Sequence, residues 1–128
     1  VTIIDDTYNS SLDAIKSSLE ILEKEPSKRK IAVVGDILEV GDYNKEIHEN
    51  IGKLLLENKL DIIVTIGTDT KYTDKYLEEN NYTNYYHFNN ESESHEKIKE
   101  LLHEGDTVLF KGSHAIKLGN IVKYLMEE

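Results

Sequence analysis

Residues Ile31 to Gly41 read Ile-Ala-Val-Val-Gly-Asp-Ile-Leu-Glu-Val-Gly. Four apolar residues follow one another without alternation. Gly35-Asp36 then closes the run, and a short apolar and acidic stretch leads to a second glycine. An unbroken, Val-rich run of this length suits a strand buried on both faces of a parallel sheet. Gly35 and Asp36 then stand at the carboxyl end of that strand, which is where open α/β sheets bind ligands.

The same grammar extends in both directions. Val1 to Asp5 reads as a first strand ending on the pair Asp5-Asp6, followed by the polar stretch Thr7 to Ser11. Ser10 or Ser11 can cap the next helix, whose inner stripe is Leu12, Ile15, Leu19 and Leu22. Glu23 to Lys30, with the only proline at Pro26, is a solvated turn. After Gly41, Tyr43, Ile47, Ile51, Leu54 and Leu55 mark a second helix that frays near Asn58. Leu60 to Gly67 is another apolar strand closed by glycine, with Thr68 available to cap a helix bearing Tyr72, Tyr76 and Leu77. Asn80-Asn81 ends that helix, and Tyr82 to Phe88 is a shorter, Tyr-rich strand nearer a sheet edge. Ser92 to His103 is a charged helix with Ile98, Leu101 and Leu102 inward, stopped by Gly105. Asp106 to Gly112 is the last strand, and a final helix carries Ile116, Ile121, Val122 and Leu125. Strand and helix alternate throughout. The expected fold is a three-layer, Rossmann-like α/β domain over residues 1–128, with a mostly parallel sheet of about five to six strands and helices on both faces.

Composition narrows the partners. A net charge of −10 argues against nucleic acid and anionic membrane surfaces, both of which want a basic patch. With no cysteine there can be neither a disulfide nor a thiolate metal site. No apolar run approaches membrane-spanning length. The chain opens on Val1 already inside a strand-like run, which reads as an excised fragment lacking an amino-terminal partner.

If the sheet is parallel, one rim gathers Asp5, Asp6, Tyr8 and Asn9, then Gly35, Asp36 and Glu39, then Gly67 and Thr68, then Lys111 to His114. Taken singly, each has a structural explanation: Asp36 and Thr68 as caps, the glycines as turns, Lys111 as a solvent-facing lysine. Gly112-Ser113-His114 is more pointed, because a Gly-Ser turn opening a helix offers N–H groups and a hydroxyl to an anion beside a lysine. No phosphate loop, dinucleotide fingerprint or nucleophile elbow is present. The remaining histidines have no metal-ligand spacing. His48, next to core-facing Ile47, reads as a satisfied structural residue, and His87, His95 and His103 as surface residues. Composition and spacing alone therefore give a small-ligand or anion-binding domain with no catalytic group of its own.

Three blocks in order carry a resemblance: Ile4 to Asn9, Val33 to Gly41, and Lys111 to His114. Together they resemble the carboxy-terminal domain of the Mur ligases, nearest to the branch that adds D-alanyl-D-alanine to UDP-N-acetylmuramoyl-tripeptide. The likeness implies an ATP-dependent carboxylate–amine ligase acting through an acyl phosphate, cytoplasmic, in peptidoglycan precursor synthesis and thus in cell-wall biogenesis, cell shape and cell division. It implies that ATP and Mg2+ are held mainly by a central ATPase domain of the same chain, and the UDP-sugar by a further domain, both outside these residues. By residue match, Asp6, Tyr8 and Asn9 would contact the nucleotide, Asp6 through the ribose. Lys111, Gly112, Ser113 and His114 would face the dipeptide carboxylate, and Gly35, Asp36 and Glu39 would shape the substrate side. None of these is catalytic and none is a metal ligand. His114 stands where many members carry arginine, and Ser10-Ser11-Leu12 departs from the usual Ala-Asn/Ser-Pro after Asn9. The alternative is a stand-alone regulatory or receiver-like domain, in which Gly112-Ser113-His114 would have no task.

Overall fold

A computed structural model describes residues 1–6, 11–37, 41–112 and 117–126, with Asp6 described by its backbone alone. Five strands and five α-helices alternate among them. The strands are β1 (Thr2–Asp6), β2 (Arg29–Gly35), β3 (Ile62–Ile66), β4 (Tyr85–Phe88) and β5 (Asp106–Lys111). The helices are α1 (Leu12–Lys24), α2 (Asn44–Glu57), α3 (Lys71–Glu79), α4 (His95–Leu101) and α5 (Leu118–Met126). Short 3₁₀ turns at Gly41–Tyr43 and Ser92–Ser94 precede α2 and α4.

Every pairing is parallel and the order is β1-β5-β2-β3-β4. The last strand thus inserts between the first two, and β4 is an edge strand as its Tyr-rich sequence suggests. β2, β3 and β5 are the buried strands, and they carry the continuous apolar runs. Alternation along the strands sorts the core into two layers. Ala32, Val34, Ile63 and Leu109 pack against Ile15, Leu19 and Leu22 of α1, Ile51 and Leu55 of α2, and Leu77 of α3. Val33, Val64, Val108 and Phe110 pack on the other face against Ile98 of α4 and Ile121 and Val122 of α5.

Several local expectations change. β2 begins at Arg29 instead of Ile31, because Arg29 and Lys30 pair in register with Asp106 and Thr107 of β5. The Arg29 guanidinium donates Nε to Asp106 Oδ1 at 2.9 Å and Nη2 to Asp106 Oδ2 at 2.7 Å. β4 begins at Tyr85, whereas Tyr82 lies outside the ladder and donates its hydroxyl to the Leu60 carbonyl. Burial pushes that phenol up to about 12. Tyr43 is 67% exposed and lies in the 3₁₀ turn, so the buried stripe of α2 is His48, Ile51, Gly52 and Leu55. Gly52 is a contact glycine there: a Cβ would come within 3.0 Å of the Tyr76 ring of α3. Ser11 caps α1 as expected, accepting from the Ala14 N–H at 3.1 Å.

Candidate functional site

Register brings the carboxyl ends of the strands to one rim. Asp6 lies beside Lys111, Lys111 beside Val34, and Gly35 beside Ile66. Gly35 and Gly112 end neighbouring strands and touch. A Cβ on Gly112 would stand 3.0 Å from both Cα and N of Gly35 and 3.0 Å from Leu118 Cδ1. Gly112 is therefore a packing glycine, because the space a Cβ would need is taken by the neighbouring strand end and Leu118.

Asp36, one residue beyond β2, is 3% exposed, and its carboxylate turns inward. Oδ2 accepts from the Thr68 N–H at 3.0 Å, and Oδ1 accepts from Asp69 N–H at 3.0 Å and Thr70 N–H at 2.9 Å. These are amides at the start of the α3 turn, so an anion already fills that position from within the chain. Thr68 does not cap the helix with its side chain. α3 begins at Lys71, and Asp36 does the capping from across the sheet. Gly67 makes this possible: its φ is +122°, and a Cβ there would fall 2.4 Å from the Asp36 carboxylate. The substrate-side assignment of Asp36 thus meets a carboxylate already engaged with three backbone donors.

Lys111 is 0% exposed, so the solvent-facing explanation of this residue is wrong. Strand alternation puts it on the face of Leu109, at the rim end of β5 between β1 and β2. A buried ammonium requires partners, and Lys111 has an interaction of its own. Tyr8, Asn9, Glu39, Ser113 and His114, all proposed on sequence grounds, lie outside the described residues. Among the proposed residues, the structure brings Gly35, Asp36, Lys111 and Gly112 together with the backbone of Asp6.

Two polar clusters lie next to this rim: His48 is the satisfied structural residue expected, whereas its partners and a Thr65–Asp74–His87 cluster were not foreseen. His48 is 0% exposed and joins three elements. Its Nε2 accepts from the Ile37 N–H at 3.1 Å, and Nδ1–H donates to the Asn44 carbonyl at 2.8 Å. The His48 carbonyl accepts from Thr73 Oγ1 of α3 at 2.6 Å. The signal was present, since positions 48, 51, 52 and 55 form a helical stripe. In the second cluster, Thr65 Oγ1 donates to Asp74 Oδ1 at 2.7 Å, and His87 Nδ1 lies 2.9 Å from Asp74 Oδ2. Burial raises the Asp74 carboxyl above the usual carboxylate range, against the opposing pull of Thr65 and His87. His95 is half-buried, pairing with Glu91 at 2.5 Å and stacking on Tyr124. Among the described residues, no three His, Asp or Glu side chains converge as a metal site.

The family described as "Mur ligase, glutamate ligase domain" matches residues 1–114. This chain belongs to the Mur ligase family. Among curated relatives of this Mur ligase domain, the UDP-N-acetylmuramoyl-tripeptide–D-alanyl-D-alanine ligase of Synechocystis is 32% identical over 128 residues, covering 100% of this chain and 28% of the relative. The enzyme of the same name from Bacillus subtilis is 31% identical over 132 residues, covering 99% of this chain and 28% of its own. Among solved structures, a MurF from Acinetobacter baumannii superposes with a TM-score of 0.86 at 28% identity, over 98% of this chain and 28% of its own. MurF from Thermotoga maritima in complex with ADP superposes at 0.81 with 29% identity, over 98% of this chain and 28% of its own. The Mur ligase domain described here thus spans just over a quarter of the length of these relatives. No helix among its described residues is long and apolar enough to cross a membrane.

Proposed function

We propose that this chain is the carboxy-terminal domain of an ATP-dependent ligase that joins D-alanyl-D-alanine to a UDP-N-acetylmuramoyl-tripeptide. The observation that carries the reading is the whole-chain similarity, at 31–32% identity, to enzymes of that one name. The rim supports it. Neighbouring glycines pack closely at the ends of β2 and β5, and a buried lysine ends β5 at the same edge.

In this reading the γ-phosphoryl group of ATP passes to the tripeptide carboxylate, and ADP leaves. The dipeptide amine attacks the acyl phosphate, the amide forms and phosphate departs. The domain's own share is binding and orientation. Asp6, Tyr8 and Asn9 face the nucleotide. Gly112, Ser113 and His114, with Lys111 behind them, hold the dipeptide carboxylate through N–H donors and positive charge. Asp36 acts beneath this side by fixing the loop before α3, and Gly35 and Glu39 border it. The phosphate-binding loop, Mg2+ and the UDP-sugar belong to other parts of the enzyme, and a cytoplasmic location follows from the same reading.

The test is reconstitution. The enzyme containing this domain is expected to release ADP and phosphate only when tripeptide precursor and D-alanyl-D-alanine are both present. The isolated 128 residues are expected to release none. Asp6→Ala in the full enzyme should raise the KM for ATP while leaving that for the dipeptide alone. ADP release that ignores the dipeptide, or ligation by the isolated chain, would overturn the proposal.

A further inference from the structure

The ladder of β2 ends with Asp36, whose N–H donates to the Ile66 carbonyl at 3.2 Å. Ile37 is next, 6% exposed, and its N–H has left the sheet. A buried amide needs an acceptor, and the acceptor is the Nε2 of His48. That fixes the ring as the Nδ1–H tautomer, with the other nitrogen donating to Asn44. The carbonyl of the same residue is held by Thr73 of α3. One buried imidazole residue thus ties the end of β2 to the first turns of α2 and, through Thr73, to α3.

The tie leads to the rim along the chain. Ile37 follows Asp36, whose carboxylate grips residues 68–70. Asp36 follows Gly35, and Gly35 lies so close to Gly112 that a Cβ on Gly112 would stand 3.0 Å from its Cα and N. A displaced Ile37 therefore moves the two glycines that border the proposed carboxylate site. The nucleotide-side residue Asp6 lies on β1, separated from β2 by β5.

We propose that His48 is a positioning residue for the dipeptide, acting through the Ile37 amide on the carboxyl end of β2. It touches no substrate. The inference rests on the ligase reading above and predicts a selective effect: the dipeptide side of the reaction depends on His48, and the ATP side does not.

The test uses the full-length enzyme and two variants that split the imidazole's functions. His48→Asn retains a polar group near Nδ1 and loses the acceptor near Nε2. His48→Gln places an amide oxygen near Nε2 and restores it. His48→Asn is expected to raise the dipeptide KM by roughly tenfold with the ATP KM changed less than about twofold, and His48→Gln to return within about threefold of the parent. A purely structural role would instead lower the melting temperature and leave both KM values in their parental ratio, and that result overturns the inference. So does an equal rise in both KM values, or a glutamine variant no better than the asparagine one. If His48→Asn does not accumulate as folded protein, Thr73→Val decides. It withdraws only the hydroxyl from the His48 carbonyl, and a dipeptide KM unchanged there also overturns the inference. A parent enzyme that ligates no dipeptide removes the ligase reading and this inference together, whereas an active parent with an unresponsive His48→Asn removes this inference alone.

Discussion

Replacing Asp36 by alanine separates the two roles this carboxylate has been given. It withdraws the acceptor from three amides at once, and their surroundings set the cost. Thr70 is buried, so its N–H cannot turn to water and bears about 1–3 kcal/mol for an unmet donor. Thr68 is exposed and Asp69 half-exposed, so water replaces most of what they lose, leaving about 0.5–1 kcal/mol each. The sum is about 3 kcal/mol, and a chain of this length converts that into a fall of roughly 10 °C in melting temperature. Asp36→Asn is milder, because its oxygen can keep Asp69 and Thr70 while its NH2 group faces the Thr68 N–H. A loss of about 1–2 kcal/mol is expected there. Thermal and urea unfolding, followed by circular dichroism on parent and both variants, checks the order alanine, asparagine, parent. An alanine variant that melts within about 2 °C of the parent, yet loses dipeptide binding in the full enzyme, would refute the reasoning and make Asp36 a substrate contact.

Three further outcomes are expected. Hydrogen bonds from Arg29 hold the Asp106 carboxyl below its usual range, so this pair's contribution is whole above about pH 4 and is lost as pH falls through the depressed native value. Asp106→Asn should therefore flatten the acid limb of stability against pH, and an unchanged limb would show the pair to be idle. Gly112→Ala should cost about 1–3 kcal/mol by driving a Cβ into the Gly35 backbone and Leu118, measured by urea unfolding, and parental stability would show that the two strand ends are not in contact. In the full enzyme, dipeptide affinity should weaken as pH rises through about 6.5 if His114 meets the carboxylate as a cation. His114→Arg should flatten that dependence and His114→Ala should raise the dipeptide KM alone, whereas a parental KM in His114→Ala removes the residue from the site.

The layer architecture was legible in the sequence because it follows from local pattern. Ile31 to Val34, Ile62 to Val64 and Val108 to Phe110 are apolar without alternation, and only a strand covered on both faces asks for that. The glycines closing two of those runs were equally plain, and so was a serine cap for α1 at residue 10 or 11, which the structure places at Ser11. What pairs with what was decided only by the tertiary structure. Nothing local places β5 between β1 and β2, and that insertion sets Lys111 beside Asp6 and Val34 and takes its ammonium wholly out of water. Asp36 looked like a rim residue or a cap for its own helix, yet it caps α3 from more than thirty residues away. His48 was legible as a satisfied structural histidine, but only the fold supplied its partner, the Ile37 amide. Periodicity reports which face of an element is buried. It carries no record of which distant polar group will be buried with it, and at this rim those distant partners determine what each side chain is free to do.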